Sequence, residues 1–280
     1  MRLHRLSSLS FVLLALVFST PLLLVPQPSH AEITSFADAI NKSGRQRMLS
    51  QRMLSSYYQV GKQINLTKSK KQLVDAIALF ESQLNELKAY SRTAKIVTLQ
   101  AKLNVDLDGG LKKVSLLWAP VKKINTAPIQ KSQAEELRAL TEELLKASHQ
   151  VVLHLQKLSG TESGRLVNIS GRQRMLSQRL SSLYILKSWG FTNEVYDNDY
   201  AQAIREYRAA LDELRAAPIN TQKIRYALSD AAKYFKMFEN SGSQMVSTPS
   251  MIRRSAAKML KIMNDVTMLY QIEAEKLDKK

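Results

Sequence analysis

The stretch Ser43-Gly44-Arg45-Gln46-Arg47-Met48-Leu49-Ser50-Gln51-Arg52 decides the fold of this chain, because it occurs twice. The same letters return over 170–179, as SGRQRMLSQR. The sequence around the two copies differs, yet the polar letters of the decamer are kept together with the apolar ones. This repeat predicts a structural module that is present twice, with each copy supplying the same side chains to a site.

Apolar residues recur at intervals of three and four around both copies, which is the period of an α-helix. Glycine and proline are sparse after residue 31, and no stretch alternates like a β-strand. We predict an all-α fold of two tandem up-down four-helix bundles, over 32–160 and 161–280, joined by a linker at 159–164. The predicted helices span 33–64, 69–92, 96–124, 131–158, 163–190, 197–216, 220–240 and 250–277. Gly109-Gly110 is the expected interruption of the third helix.

The N-terminal segment 1–31 has the pattern of a secretory signal peptide. Arg2 and Arg5 precede an apolar stretch over 11–25, and the segment ends in small and polar residues, so we predict cleavage after Ala31. The mature chain is then expected to be exported to the periplasm. An uncleaved membrane anchor is the alternative, but Pro21 and the shortness of the apolar stretch argue against it.

The chain is basic and has no cysteine, with 41 Lys and Arg residues against 24 Asp and Glu residues. Removal of Arg2 and Arg5 with the leader lowers the formal charge by two, from +17 to +15. The excess is spread along the chain in pairs such as Lys70-Lys71, which is typical of solvated helix faces. A net positive charge favours negatively charged partners, which here means small anions, acidic partners, anionic lipid or nucleic acid. Without disulfides, stability must come from buried apolar area.

An arginine of the decamer lies on the apolar face of the predicted helix. At 100° per residue, Gly44 is one turn before Arg47 and Gln51 one turn after it. The decamer contains no Asp or Glu, and a buried guanidinium group needs a carboxylate, a carbonyl or an anion. The missing side chain of Gly44 lets a neighbour or a ligand approach the backbone. The candidate ligand-binding residues are Arg47, Arg174, Gly44, Gly171, Gln51, Gln178, Arg45 and Arg172.

Two points stay open within this set. The stem of Arg45 can instead cover apolar surface while its charged end remains in water. The second copy has Ser181 where the first has Leu54, so one of two equivalent sites can have lost its ligand.

The residues Asn41-x-x-Gly44-Arg-Gln-Arg-Met-Leu-Ser-Gln-Arg52, repeated from Asn168, closely resemble the signature of the PilJ-type sensor domain. This is the N-terminal domain of type IV pili methyl-accepting chemotaxis transducers and is related to nitrate/nitrite sensor domains. The resemblance implies a four-helix bundle that senses extracytoplasmic signals. In nitrate-responsive members the first helices of two subunits hold nitrate or nitrite between paired arginines, which map onto Arg47 and Arg174. Backbone near the glycine contributes there, which maps onto Gly44 and Gly171.

The chain departs from the transducer pattern in two ways. It carries two modules where the sensors carry one and dimerise, and we see no membrane-spanning stretch, kinase or methyl-accepting domain after the sensor. The two copies are expected either to form one internal site or to pair with another chain in a homodimer. The signal is then expected to pass to a separate partner, an unidentified membrane sensor or chemoreceptor.

Other functions are weighed against this one. His149 and His154 are five positions apart and on different sides of their helix, so no shared metal is predicted. The sequence also shows no thiol, no Ser/His/Asp arrangement and no phosphate-binding glycine loop, so no cofactor and no enzymatic activity are predicted. The main alternative is a structural or adaptor module that binds a pilus component or a membrane sensor. In that case Arg47 should have an acidic partner such as Glu86 or Glu142. Nonspecific binding of nucleic acid or lipid through the +15 charge is the third hypothesis.

Overall fold

The computed structural model describes residues 32–241 and 247–277, and this part of the chain is helical and contains no strand. The α-helices are α1 (Phe36–Gly61), α2 (Leu66–Ser91), α3 (Ala94–Leu103), α4 (Leu107–Thr126), α5 (Ala134–Ser159), α6 (Glu162–Ser188), α7 (Glu194–Ala216), α8 (Gln222–Ser241) and α9 (Pro249–Leu277). A short 3₁₀ turn at Lys131–Gln133 precedes α5. The predicted all-α class is confirmed. The predicted signal peptide over 1–31 lies outside the described residues.

Two four-helix bundles lie side by side. In the first, α1 and α4 each pack against α2 and α5, and in the second, α6 and α8 each pack against α7 and α9. The bundles meet chiefly through α1 and α6, and Glu32–Lys280 forms one compact unit. Gly160 ends α5 in the left-handed conformation, and the hydroxyl of Thr161 caps α6. The division into domains over 32–160 and 161–280 stays a prediction.

The helices α1 and α6, which carry the two decamers, are the central pair and are buried on nearly every side. Their buried serines are satisfied within their own helices: the hydroxyl of Ser43 donates to the carbonyl of Ile40, and that of Ser50 donates to the carbonyl of Arg47. Small residues of this kind let two helices approach closely, and the hydroxyls of Ser55 and Ser181 are 3.3 Å apart across the α1–α6 interface.

Each bundle repeats a stacked aromatic pair in its outer layer. The rings of Phe80 and Trp118 stack at 4.4 Å between centroids, and those of Tyr207 and Phe235 stack at 4.3 Å. Because Phe80 and Tyr207 have the same spacing in the sequence as the two decamers, the second bundle repeats the packing of the first.

The predicted third helix is divided at Asn104–Asp106, so its expected interruption at Gly109-Gly110 was wrong. Asn104 adopts the left-handed conformation (φ 48°) and ends α3, and the carboxylate of Asp106 accepts from the backbone N–H of Gly109 at 2.7 Å to cap α4. A Cβ on Gly109 would lie 2.0 Å from Asp106 Oδ2. Gly109 therefore makes room for the cap of α4 and does not break the helix.

Within the described ranges, none of the helices is both long enough and apolar enough to cross a membrane.

Candidate functional site

The two central helices run parallel and in register. Lys62, just after the end of α1, donates to the carbonyl of Ser188 at the end of α6, and the hydroxyls of Ser55 and Ser181 meet about two turns earlier. Equivalent positions of the two decamers therefore face each other about a pseudo-twofold axis along the helices. The tandem repeat brings Arg47 and Arg174 to the same level of the interface.

Each of these arginines reaches across to the opposite helix. Arg47 Nη2 donates to the backbone carbonyl of Asn168 at 3.2 Å and to its side-chain Oδ1 at 2.8 Å. Arg174 Nη2 donates to the backbone carbonyl of Asn41 at 3.2 Å. Asn41 and Asn168 are themselves equivalent positions of the repeat, so the two arms are related by the pseudo-twofold axis.

The two guanidinium groups lie together over two glycines. A Cβ on Gly44 would lie 3.3 Å from Arg47 Nη2 and 3.5 Å from Arg174 Nη2. Since both nitrogens surround the same point, the distance between them is at most the sum of these two values. A Cβ on Gly171 would lie 3.2 Å from Arg174 Nη2 and 3.7 Å from Arg47 Nη2. The structure thus brings four of the predicted site residues into one place.

The outer helices supply neutral partners to the pair. Arg47 Nη1 is 3.0 Å from His149 Nδ1 on α5, and Arg174 Nη1 donates to Asn264 Oδ1 on α9 at 3.2 Å. The Nε atoms of both arginines are buried without a hydrogen-bond partner. Each arginine therefore has an unused donor as well as an uncompensated charge.

The amides behind the arginines are also paired symmetrically. Asn41 Nδ2 donates to Gln271 Oε1 at 2.7 Å, and Asn168 Nδ2 donates to Gln156 Oε1 at 2.6 Å. The side-chain oxygen of Asn168 is thereby turned toward Arg47, whereas that of Asn41 is buried without a hydrogen-bond partner and Arg174 contacts only the backbone carbonyl of Asn41.

Both guanidinium groups are isolated from negative charge. Each arginine is 1% exposed, and within the described residues no carboxylate lies within 4.0 Å of either group. Burial and the charge of Arg172 lower the pKa of Arg47 to about 9, and burial lowers the pKa of Arg174 as well. At an effective dielectric constant of about 20, two unit charges about 7 Å apart repel each other by roughly 2 kcal/mol.

The carboxylates that a structural role would require serve other cations. Glu86 accepts from Lys42 Nζ at 2.7 Å, and Glu142 accepts from Arg179 Nη1 at 2.7 and 2.8 Å. The acidic partner that the adaptor hypothesis expects for Arg47 is therefore supplied by neither of them.

The remaining predicted residues lie beside the pair and bond elsewhere. Gln51 Nε2 donates to Glu142 Oε1 at 3.4 Å, and Gln178 Nε2 donates to the hydroxyl of Ser177 at 3.3 Å. Arg172 Nη2 donates to Glu206 Oε2 at 2.7 Å. Burial lowers the pKa of Arg45, and the charges of Asp38 and Glu86 offset this in part. These side chains shape the surroundings of the pair without contacting its guanidinium groups.

Sequence reasoning missed four residues that contact the arginines: Asn41, Asn168, His149 and Asn264. Each asparagine is three positions before the repeated glycine in its own copy, and this repetition could have marked both asparagines as site residues. His149 and Asn264 have the same spacing as Lys146 and Lys261, which is the spacing of equivalent positions in the last helices of the two modules. His149 lies where a proton would add a third positive charge: burial, then Arg47 and then Arg172 lower its pKa to about 4, while Glu206 acts in the opposite direction.

The fold and the site together define a class of protein: an all-α double bundle whose central helices hold a buried arginine pair. Residues 31–144 match the model of the family described as "PilJ: Type IV pili methyl-accepting chemotaxis transducer N-term". The resemblance to the PilJ family is thereby confirmed for this part of the chain, which includes the first decamer and ends before the second. No curated protein and no solved structure matches the chain.

Proposed function

We propose that this chain is a sensory ligand-binding protein that holds a small oxyanion, nitrate or nitrite, between Arg47 and Arg174. The observation that carries the proposal is the pair itself: two buried guanidinium groups side by side, with neutral partners only. The planar fork of an arginine matches a planar oxyanion. An anion between the two groups would accept from both and remove their repulsion.

The match to the transducer family supports a sensory role. A ligand that binds only when both arginines converge would favour one spacing of α1 and α6 over others, and differential affinity for two arrangements is what a sensor requires. Since the two helices belong to different bundles, the anion would couple the bundles directly. We propose that the signal passes from there to a separate membrane sensor or chemoreceptor, with the chain exported to the periplasm and monomeric or homodimeric.

The size of the ligand limits its affinity. Nitrate has four heavy atoms, and at a ceiling of about −1.5 kcal/mol per atom the binding free energy reaches roughly −6 kcal/mol, which corresponds to tens of micromolar. A site of this strength responds to anion concentrations from about the micromolar to the millimolar range.

Titration calorimetry tests the proposal. We expect the purified chain to bind nitrate or nitrite at micromolar to millimolar concentrations, more tightly than chloride or sulfate, with one anion per chain. Arg47→Gln/Arg174→Gln should abolish the heat. Arg165→Gln serves as the matched control, because Arg165 lies on the same helix as Arg174 but pairs with Glu162 and Glu213 at the surface.

The adaptor hypothesis predicts another outcome of the same titration. If the arginines only fix the register of α1 and α6 through Asn41 and Asn168, the wild-type chain will give no heat with millimolar nitrate. Unchanged heat in the double variant would equally refute the proposed site.

A further inference from the structure

A second cationic site lies beside the arginine pair, where α1 and α2 of the first bundle meet α6 and α9 of the second. Gln178 and Asn264 line it, and Asn264 also accepts from Arg174, so the two sites are neighbours that share no arginine. It is a cleft of about 280 Å³. Four basic side chains line it, namely Arg52, Lys68, Arg253 and Lys261. No carboxylate lines the cleft, and over 32–241 and 247–277 none of the four has an acidic oxygen within 4.0 Å.

The repeat provides an internal comparison for this cleft. The helices α1, α2 and α9 correspond to α6, α7 and α5, so Arg52 is equivalent to Arg179 and Arg253 to Arg138. In that twin location both arginines are neutralised. Arg179 donates to both oxygens of Glu142, and Arg138 pairs with Asp199.

The difference between the two locations lies in the acids. Glu142 corresponds to Ala257, and Asp199 corresponds to Gln72. Arg179 is also 3.4 Å from Asp199, so in the twin two carboxylates connect two arginines. The cleft keeps both arginines of this arrangement and replaces both carboxylates by neutral side chains, one of them small.

The arginines of the cleft are not simply solvated. Arg253 Nε is buried without a hydrogen-bond partner. Burial lowers the pKa of Arg52, and the negative charge of Asp75 offsets this only in part. Asp75 is already paired with Lys71 at 2.7 Å. A partly desolvated cation without a partner is unfavourable, which an anion in the cleft would correct.

We propose that this cleft binds a small dicarboxylate. A ligand with two carboxylate groups a few bonds apart would supply the negative charges that Glu142 and Asp199 supply in the twin. The space left by Ala257 admits it. Gln72 Nε2 donates one N–H to Ser56 Oγ at 3.0 Å and has its second N–H to offer a ligand. The volume is near the lower end of ligand pockets, which run from about 300 to 1,000 Å³, and this favours a ligand of few heavy atoms.

Calorimetry of the full chain with succinate as probe tests this inference, with acetate as the single-charge comparison. We expect saturable binding of one succinate per chain, at least tenfold tighter than that of acetate. Gln72→Asp/Ala257→Glu rebuilds the two carboxylates of the twin inside the cleft. This double variant should weaken succinate binding at least tenfold while the melting temperature stays equal or rises.

Two further variants separate this site from the arginine pair. Arg253→Gln should weaken succinate binding and leave nitrate binding unchanged, whereas Arg47→Met should leave succinate binding unchanged. Equal affinity for succinate and acetate, or undiminished succinate binding in a folded Gln72→Asp/Ala257→Glu variant, would overturn the inference. Failure of nitrate binding would leave it standing, because the two sites share no arginine.

Discussion

Arg47→Met is the substitution that most directly tests whether the buried arginine pair is retained for an anion. Methionine keeps much of the length of the side chain and fits an apolar surrounding, while it removes the charge and the donors. In the structure Arg47 is 1% exposed and donates to Asn168 and His149, with no carboxylate in reach among the described residues. The substitution therefore separates the charge of this side chain from its packing.

The expected change in stability follows from two opposing quantities. The pKa of Arg47 is lowered to about 9. Because a tenfold change in proton affinity corresponds to about 1.4 kcal/mol, keeping this group charged in the fold costs about 4–5 kcal/mol. Removing the donors leaves acceptors of Asn168 and His149 unpaired, at about 1–3 kcal/mol. Without anion, Arg47→Met should therefore be more stable than the wild type by about 1–4 kcal/mol.

Thermal unfolding in a buffer with bulky anions, with and without nitrate, measures both effects. For a chain of this length about 1 kcal/mol shifts the melting temperature by about 2–4 °C, so the variant should melt about 2–16 °C above the wild type without nitrate. Nitrate at about 100 times its dissociation constant should stabilise the wild type by about 2.7 kcal/mol and leave the variant unchanged.

Arg179→Met is the control with the opposite sign. Arg179 ends the second decamer and is paired with Glu142, whose carboxylate would lose this cation and keep the 3.4 Å hydrogen bond from Gln51. We expect a loss of about 1–3 kcal/mol, less than for a fully buried pair because both side chains are partly exposed. If Arg47→Met also melts below the wild type in nitrate-free buffer, then its bonds to Asn168 outweigh its charge, and the reasoning is refuted.

Two further substitutions test the surroundings of the pair, and a third tests the close packing at the end of α1. Burial and nearby guanidinium groups lower the pKa of His149 to about 4, so the unfolded chain takes up a proton between about pH 6.5 and 4 while the fold does not. Stability should fall as the pH drops through this window, by about 1 kcal/mol after solvent screening, and urea unfolding should show a flatter profile for His149→Asn. Gly61→Ala should lower the melting temperature by several degrees, because its Cβ would lie 2.2 Å from the Trp189 ring. Gly44→Ala should keep the fold but weaken nitrate binding about tenfold in calorimetry, since its methyl group would lie 3.3 Å from Arg47 Nη2.

The helical class could be predicted from the sequence because it depends on local periodicity, and the arginine stripe could be predicted for the same reason. Ile40, Gly44 and Arg47 do lie on one buried face of α1. The parallel register of α1 and α6 could not be predicted, because it depends on how two helices that are distant in the sequence pack against each other. The position of the helix break at Asn104 was missed since glycine suggested a breaker, whereas Gly109 serves the cap of α4.

The partners of the arginines were beyond sequence reasoning for a related reason. The sequence does not distinguish Glu86 from Glu142 as a partner for Arg47. The packing shows that Glu86 pairs with Lys42 and that Glu142 pairs with Arg179. The contact of His149 with Arg47 could not be predicted either, because the spacing of His149 and His154 bears only on metal binding. The predicted ligand and the roles of Gln51 and its equivalent stay predictions.

Because two modules are fused in one chain, the residues on the two sides of the arginine pair can differ. In a symmetric dimer every residue near the twofold axis meets its own copy, so a change on one flank occurs on both. Here the central arginines remain equivalent, while the flanks differ: His149 faces Arg47 where Asn264 faces Arg174. In the same way Glu142 closes one outer location and Ala257 opens its twin. The duplicated core therefore places one central arginine from each half, and the unequal flanks give each half neighbours that the other lacks.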